Sequence, residues 1–214
     1  MADNYLEKKF EEMRQGGNAP VKKGRSTANV SLNSLLLKNR SYRGYNSSYN
    51  VTVDELKKIV EVCTKVPSAK NQQVLRFKLA AAEDAARVQK YTKWAGALPE
   101  LNLPFPGTEP SAFIIICSTV PETKWVDIDL GIAAQSMLLK AVEMGLNGIC
   151  IGAFNKGEII REFALEHEPV LLLAIGKGAE AIQLTGIKEG ESQTYYRKEG
   201  VHFVPKLGLD DLIL

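Results

Sequence analysis

Apolar positions in this chain switch between helical spacing and unbroken runs, a pattern that predicts helices layered on a buried sheet. Leu6, Phe10 and Met13 fall on one stripe of a charged helix from Asp3 to Gln15, which Gly16-Gly17 closes. A basic, irregular stretch from Asn18 to Ala28 follows, too poor in apolar residues to be a core element and read as a tether. Ser31 to Lys38 predicts a short helix. Thr52-Val53-Asp54-Glu55 opens another with the hydroxyl and carboxylate of a capping box; Leu56, Ile59, Val60 and Cys63 form its apolar face and Pro67 ends it. Val74 to Ala81 alternates like a strand, Glu83 to Trp94 is helical, and Ala95 to Pro110, with four prolines, is a loop able to wall a pocket.

The second half carries the strongest signals. Ala112 to Ser118 is a continuous apolar run, the mark of a fully buried strand. Trp125 to Met144 is a long helix, apolar around much of its circumference and capped by Gly145, so it is expected to be buried on several sides or to meet a partner. Asn147 to Phe154 and Val170 to Ile175 read as further buried strands, with a short helix at Asn155–Ala164 between them. From Gly176 to Thr194 the chain is Gly-rich and poorly patterned, and the tail adds a strand-like piece at Val201–Val204 and a final apolar run. The expected fold is α+β, a three-layer α/β/α arrangement with a central sheet flanked by helices. Residues 1–30 are read as an N-terminal helix and tether, and 31–214 as one domain.

Composition narrows the function classes. The 214 residues are 45% hydrophobic and 24% charged, as in an ordinary globular protein. A net charge of +2 is too small to argue for nucleic acid or an anionic membrane surface, and no apolar run is long enough to span a bilayer. The N-terminus lacks a basic-then-apolar leader, so a cytoplasmic location is expected. Cys63, Cys117 and Cys150 each sit in apolar context and read as buried thiols rather than a disulfide set. With two histidines and no ligand spacing, no metal site is expected. Asp127 and Asp129 read as N-terminal charge on the long helix rather than a metal pair.

Two segments carry candidate chemistry. In Lys38-Asn39-Arg40-Ser41-Tyr42-Arg43, two guanidinium groups flank a hydroxyl, a set that suits a phosphate. Taken alone, Arg40 and Arg43 also read as a solvated basic turn. In Pro67-Ser68-Ala69-Lys70-Asn71-Gln72-Gln73, Asn71 can present donor and acceptor together to the edge of a heteroaromatic ring. Together they suggest a nucleotide-like cofactor, although neither a Gly-x-Gly-x-x-Gly strand–helix turn nor a P-loop is present.

The order of motifs is similar to the FMN-dependent nitroreductase family. The residues that carry the likeness are Asn39-Arg40-Ser41-Tyr42-Arg43, Pro67 to Val74, Asp129-Leu130-Gly131-Ile132-Ala133-Ala134-Gln135, Gly145-Leu146-Asn147-Gly148-Ile149-Cys150-Ile151-Gly152, and Arg197. No one of them is specific; five in order are. The resemblance implies a homodimer with exchanged arms and an FMN held between subunits. Arg40, Ser41 and Arg197 would serve the phosphate and ribityl end, and Arg43 the pyrimidine side of the flavin. Pro67 and Ser68 would approach from the other subunit, Asn71 would bond the ring edge, and Ile151 and Gly152 would face the ring through their backbone. Asn39 departs from the family's first Arg, and Val74-Leu75 from its Pro-Trp. Asn71 as a turn cap, Gly152 as a strand kink and Arg197 as a surface residue beside Lys198 stay open.

The implied activity is an oxidoreductase in which FMN takes a hydride from NADH or NADPH and passes reducing equivalents to a small-molecule acceptor such as a nitroaromatic or quinone. No protein acid or base is needed for the first half-reaction, so no catalytic side chain is assigned. A flavin-binding protein without turnover is the alternative.

Overall fold

The computed structural model describes residues 30–94, 96 and 103–214. The expected helix at Asp3–Gln15, the basic tether and part of the Ala95–Pro110 loop lie outside the described residues. The chain divides into two units, Met1–Ser31 and Leu32–Leu214.

A four-stranded sheet is the centre of the second unit, with β1 (Leu75–Ala81), β2 (Ala112–Ser118), β3 (Asn147–Ile151) and β4 (Glu168–Gly176) in the order β1-β2-β4-β3. Every pairing is antiparallel. The unbroken apolar runs arise because both faces are covered, a demand usually met in parallel sheets. β2 shows it residue by residue. Ala112, Ile114 and Ile116 pack into one core with Leu56, Ile59, Met137 and Ala141, while Phe113, Ile115 and Cys117 pack into the other with Ala85, Val88 and Ile159. The short helix α1 (Leu32–Lys38) buries no residue fully. Of the remaining helices, α2 (Val53–Val60) and α4 (Lys124–Glu143) form one layer, and α3 (Glu83–Gln89) and α5 (Lys156–Phe163) the opposite one. This is the expected α/β/α arrangement.

Local signals fix the helix ends. Thr52 accepts from the Glu55 N–H while the Glu55 carboxylate accepts from the Thr52 N–H, both halves of the capping box. Thr123 caps α4 by accepting from Val126 N–H, and Gly145 follows its end with φ +77°.

Four expectations are corrected. The Glu83–Trp94 helix stops at Gln89 because the chain beyond is claimed by residues 153–155: Lys93 N–H donates to Ala153 C=O (2.8 Å) and Asn155 N–H to Tyr91 C=O (2.9 Å). The same contacts end β3 at Ile151 rather than Phe154. The segment read as unpatterned contains β5 (Ala181–Ile187), parallel to β7 (Val201–Leu207), with β6 (Tyr196–Lys198) antiparallel on the other side of β7. Val201–Leu207 is thus a strand in its own chain's sheet. Only the residues after it keep the exposure of a free arm, Leu209 at 70% and Leu212 at 66%. Finally, Cys117 is buried but Cys63 is half-buried and Cys150 exposed; all three thiols are free.

Among the described residues no helix is long and apolar enough to cross a membrane, and no His, Cys, Asp and Glu cluster is fit to hold a metal ion.

Candidate functional site

Arg40 and Ser41 lie just past the end of α1, where Arg40 Nη2 donates to the Leu36 carbonyl at 2.6 Å, one of the helix's last carbonyls. The segment then runs along the edge strand β3, with Ser41 bridged to Gly148 and Tyr42 N–H donating to Gly148 C=O at 3.3 Å. One glycine makes that docking possible, and a second lets β3 pack against β4 and the long helix. A Cβ at Gly178 would sit 2.4 Å from the Tyr42 ring, and one at Gly148 2.7 Å from the Ala174 carbonyl.

The docked segment walls a cavity of about 350 Å³, lined by Asn39, Arg40, Ser41 and Arg43, by Gln135 and Leu138 of α4, by Gly148 to Cys150 of β3, and by Ile182, Tyr195, His202, Val204 and Lys206 of the C-terminal sheet. That volume lies in the range of small-molecule sites, about 300–1,000 Å³. A second cavity of about 200 Å³ shares Arg43, Ile149, Cys150 and Tyr195 with it, and is lined further by Lys93, Trp94, Gly96 and Ile151 to Ala153. Of the residues expected to serve one ligand, Arg40, Ser41 and Arg43 line the first cavity, and Arg43, Ile151 and Gly152 the second. A Cβ at Gly152 would meet nothing within 4 Å, so the space beside it is open.

Pro67, Ser68 and Asn71 are not brought there. Pro67 and Ser68 line a different cavity, of about 300 Å³, with Cys63, Phe77 and Asp129. Asn71 is exposed, and its side-chain oxygen accepts from Gln73 Nε2 at 3.2 Å. This turn is strained: Lys70, Asn71 and Gln73 all have φ near +50° (51°, 54° and 49°), where non-glycine residues are uncommon. Two side chains hold it. Asp129 Oδ1 accepts from Ala69 N–H at 2.8 Å, and Ser68 Oγ accepts from Gln73 N–H at 3.2 Å. Asp129, buried within α4, is therefore the anchor of this turn and not part of the helix's N-terminal charge.

Arg197, expected at the phosphate, is engaged elsewhere. Its Nη2 is ion-paired with Glu180 Oε1, and it does not line the cavity with Arg40. The C-terminal cation that does is Lys206, which has no ion-pair partner among the described residues. Lys206 falls on the cavity face because it follows His202 and Val204 at alternate positions of β7. Sequence reasoning missed it, although that spacing was its signal. Gln135, also on the wall, accepts from Asn39 Nδ2 at 3.2 Å.

Part of this wall belongs to a charge cluster in which Arg43 and His202 are buried and Glu180 and Arg197 partly so. Glu180 Oε2 accepts from the backbone N–H of Arg43 while its other oxygen holds Arg197. Arg43 Nη1 donates to Ser41 C=O at 3.1 Å and lies 3.4 Å from His202 Nε2, and its guanidinium covers the Tyr195 ring at 4.8 Å. Burial first, then the Arg43 and Arg197 cations, hold the His202 imidazole below its ordinary pKa, against a smaller opposing pull from Glu180. In this region Arg40 Nε, Arg43 Nε, Arg197 Nε and His202 Nδ1 are buried without a hydrogen-bond partner among the described residues. Such donors fit an anionic ligand with polar edges.

The structure is a three-layer α+β body with a cavity lined by Arg40, Arg43 and Lys206 at the edge of its sheet, a setting that suits a small anionic ligand. The sequence matches the nitroreductase family over residues 36–177, well over half of the chain, and the protein belongs to that family. Solved structures share the fold. A nitroreductase family protein from Streptococcus pneumoniae aligns with TM-score 0.59 and 16% identity, covering 72% of this chain and 93% of that one. An Exiguobacterium sibiricum protein solved with FMN gives 0.57 and 21%, covering 70% and 89%. The nitroreductase NfnB of Mycobacterium smegmatis, solved with NADPH, gives 0.56 and 12%, covering 68% and 86%. No curated protein matches the chain.

Proposed function

We propose that the protein is an FMN-dependent oxidoreductase that draws on NADH or NADPH and reduces a small acceptor, such as a nitroaromatic or quinone, in a ping-pong scheme. The observation that carries this reading is the convergence of Arg40, Ser41 and Lys206 on one cavity that shares Arg43 and β3 with a second cavity beside Ile151 and Gly152. The likeness to structures solved with FMN and with NADPH supports it. Bound FMN supplies the hydride-accepting chemistry.

The chain's own residues bind and orient. Arg40 and Ser41 hold the phosphate, with Lys206 as the C-terminal cation in place of Arg197. Arg43 offers fixed positive charge at the junction of the cavities, where negative charge grows on reduction. Lys93 and Trp94 wall the ring end, held there by the pairing of residues 91–93 with 153–155.

The same reading makes the protein a homodimer, each site completed by Pro67, Ser68 and Asn71 of the partner subunit. Two features support it. Those three residues do not reach the Arg40 cavity of their own chain, and Trp125 and Ile128 of α4 stand 52% and 49% exposed. The test is to release the flavin of the purified protein by heat, compare it with FMN and FAD standards, and measure NADH and NADPH oxidation with a nitroaromatic or quinone acceptor. FMN with acceptor-dependent turnover supports the proposal. FAD, or no flavin, overturns the cofactor, and bound FMN without turnover overturns the enzyme.

A further inference from the structure

The charge cluster in the cavity wall gives a role to a residue that the proposed function leaves unused. We propose that His202 is a positioning residue that aims the Arg43 guanidinium at the ligand, by accepting a hydrogen bond from Arg43 Nη1 at Nε2. The inference rests on the reading of the cavity as a flavin site.

A guanidinium has donors only, so the 3.4 Å contact requires a lone pair on Nε2 and places the imidazole proton on Nδ1. The imidazole therefore works only while neutral. The groups that face it keep it so. Arg197 stands opposite it in the β6–β7 register, Arg43 reaches it from the docked segment, and Lys206 lies on the same face of β7. Glu180 is the one carboxylate among them, and it is already committed to Arg197 and to the Arg43 backbone. Tyr195 completes the cage, its ring 5.2 Å from the His202 ring and 4.8 Å from the Arg43 guanidinium carbon. Labour is thereby divided. Glu180 fixes the main chain of Arg43; Tyr195, the Ser41 carbonyl and His202 fix the direction of its side chain. A residue that only filled space would serve as well with an apolar side chain. The polar contact distinguishes the two roles, because a glutamine supplies an acceptor and a leucine does not.

The experiment compares wild type, His202→Gln, His202→Leu, Arg43→Gln and the double variant Arg43→Gln/His202→Leu, with near-UV circular dichroism to verify the fold. FMN affinity and the flavin midpoint potential are measured for each, and side-chain ¹⁵N NMR reads the His202 tautomer in the flavin-free protein. His202→Leu is expected to weaken FMN roughly five- to tenfold, the scale of one ordinary net hydrogen bond because the effect reaches the ligand only through Arg43, and to lower the potential. His202→Gln is expected to keep both near wild type. In the double variant His202→Leu should add nothing further to Arg43→Gln, because the two act as one unit. A His202→Leu protein that folds and matches wild type, or effects that simply add, overturns the inference. Should His202→Leu fail to fold, His202→Gln decides, and a loss there as large as in Arg43→Gln overturns it. If wild type takes up no FMN, the flavin reading fails and NMR decides the positioning claim. An Nδ1–H imidazole at neutral pH supports it, and an Nε2–H or charged ring overturns it.

Discussion

Asp129 Oδ1, deep in α4, accepts a hydrogen bond from the backbone N–H of Ala69 at 2.8 Å, tying together residues 60 apart in the sequence. The turn it holds carries Pro67, Ser68 and Asn71 and has three residues at positive φ, so its shape is imposed by the body of the protein rather than by local preference. Asp129→Ala should therefore cost roughly 1–3 kcal/mol, the range for leaving the Ala69 N–H without its acceptor. Asp129→Asn, which keeps an acceptor, should cost less. Urea unfolding gives the comparison, and equal stability of Asp129→Ala and wild type would mean the turn holds itself.

Much of the fold was written in the pattern of the chain, and much of the site was not. The Thr52–Glu55 capping box, the Ala112–Ser118 run and the Gly145 helix stop are local rules, and each appears where the pattern placed it. β5 was hidden although Ile182 and Leu184 alternate with Gln183 and Thr185. Gly186 within it and Gly178 and Gly190 on either side read as loop, and its partner β7 comes later in the chain. Asp129 looked like helix-terminal charge because its true partner is a backbone group with no side-chain signature. Glu180, Arg197 and His202 are unremarkable surface types in sequence. Only long-range pairing makes them a partly buried cluster, and that pairing takes Arg197 out of the cavity and leaves Lys206 in it.

The phosphate assignment separates three cations. Arg40→Ala should weaken FMN binding by roughly 1.5–3 kcal/mol, as expected for a charge-assisted contact. Lys206→Ala should weaken it less, since an exposed lysine is screened by solvent. Arg197→Ala should lower the melting temperature more than the affinity, because it strips Glu180 of its ion-pair partner. Flavin titration and melting curves on the three variants decide this. A greater affinity loss in Arg197→Ala than in Lys206→Ala would return the C-terminal role to Arg197.

The depressed pKa of His202 has a sign that stability must follow. The folded protein binds this proton less readily than the unfolded chain, where histidine titrates at its ordinary 6.5. Stability is therefore undiminished above pH 6.5 and falls as the pH drops below it, until the folded group also protonates. Melting temperatures of wild type and His202→Gln between pH 8 and pH 5 (about one and a half units to either side) should run parallel at the alkaline end and diverge below 6.5, with wild type losing more. Parallel curves throughout would show that His202 titrates alike folded and unfolded.

Cys150 lies on the wall shared by the two cavities and is exposed, whereas Cys117 is buried; desolvation raises both thiols, that of Cys117 to about 11, so accessibility separates them. Alkylation of the flavin-free protein should therefore mark Cys150 and spare Cys117, and saturating FMN should protect Cys150. Peptide mass analysis reads both. Equal labelling of Cys150 with and without FMN would remove the flavin from this wall.

The shared site makes the strongest demand on assembly. If Arg40 of one chain and Asn71 of the other serve the same flavin, Arg40→Ala and Asn71→Ala each damage both sites of their own homodimer. In a mixed dimer the two lesions fall together on one site, and the other site regains native Arg40 and native Asn71. Half of the flavin sites in mixed dimers should then bind with wild-type affinity, although neither parent does. Differently tagged chains, unfolded together and refolded, supply the mixed species, and fluorescence quenching of FMN counts its tight sites. Removing Leu209–Leu214, the exposed residues beyond β7, should weaken the dimer and the flavin affinity together, because a ligand spanning two subunits stabilises only their assembly. If the mixed dimer has no tight site, each cavity is completed within its own chain, and the exposed face of α4 at Trp125 and Ile128 has some purpose other than sharing the flavin.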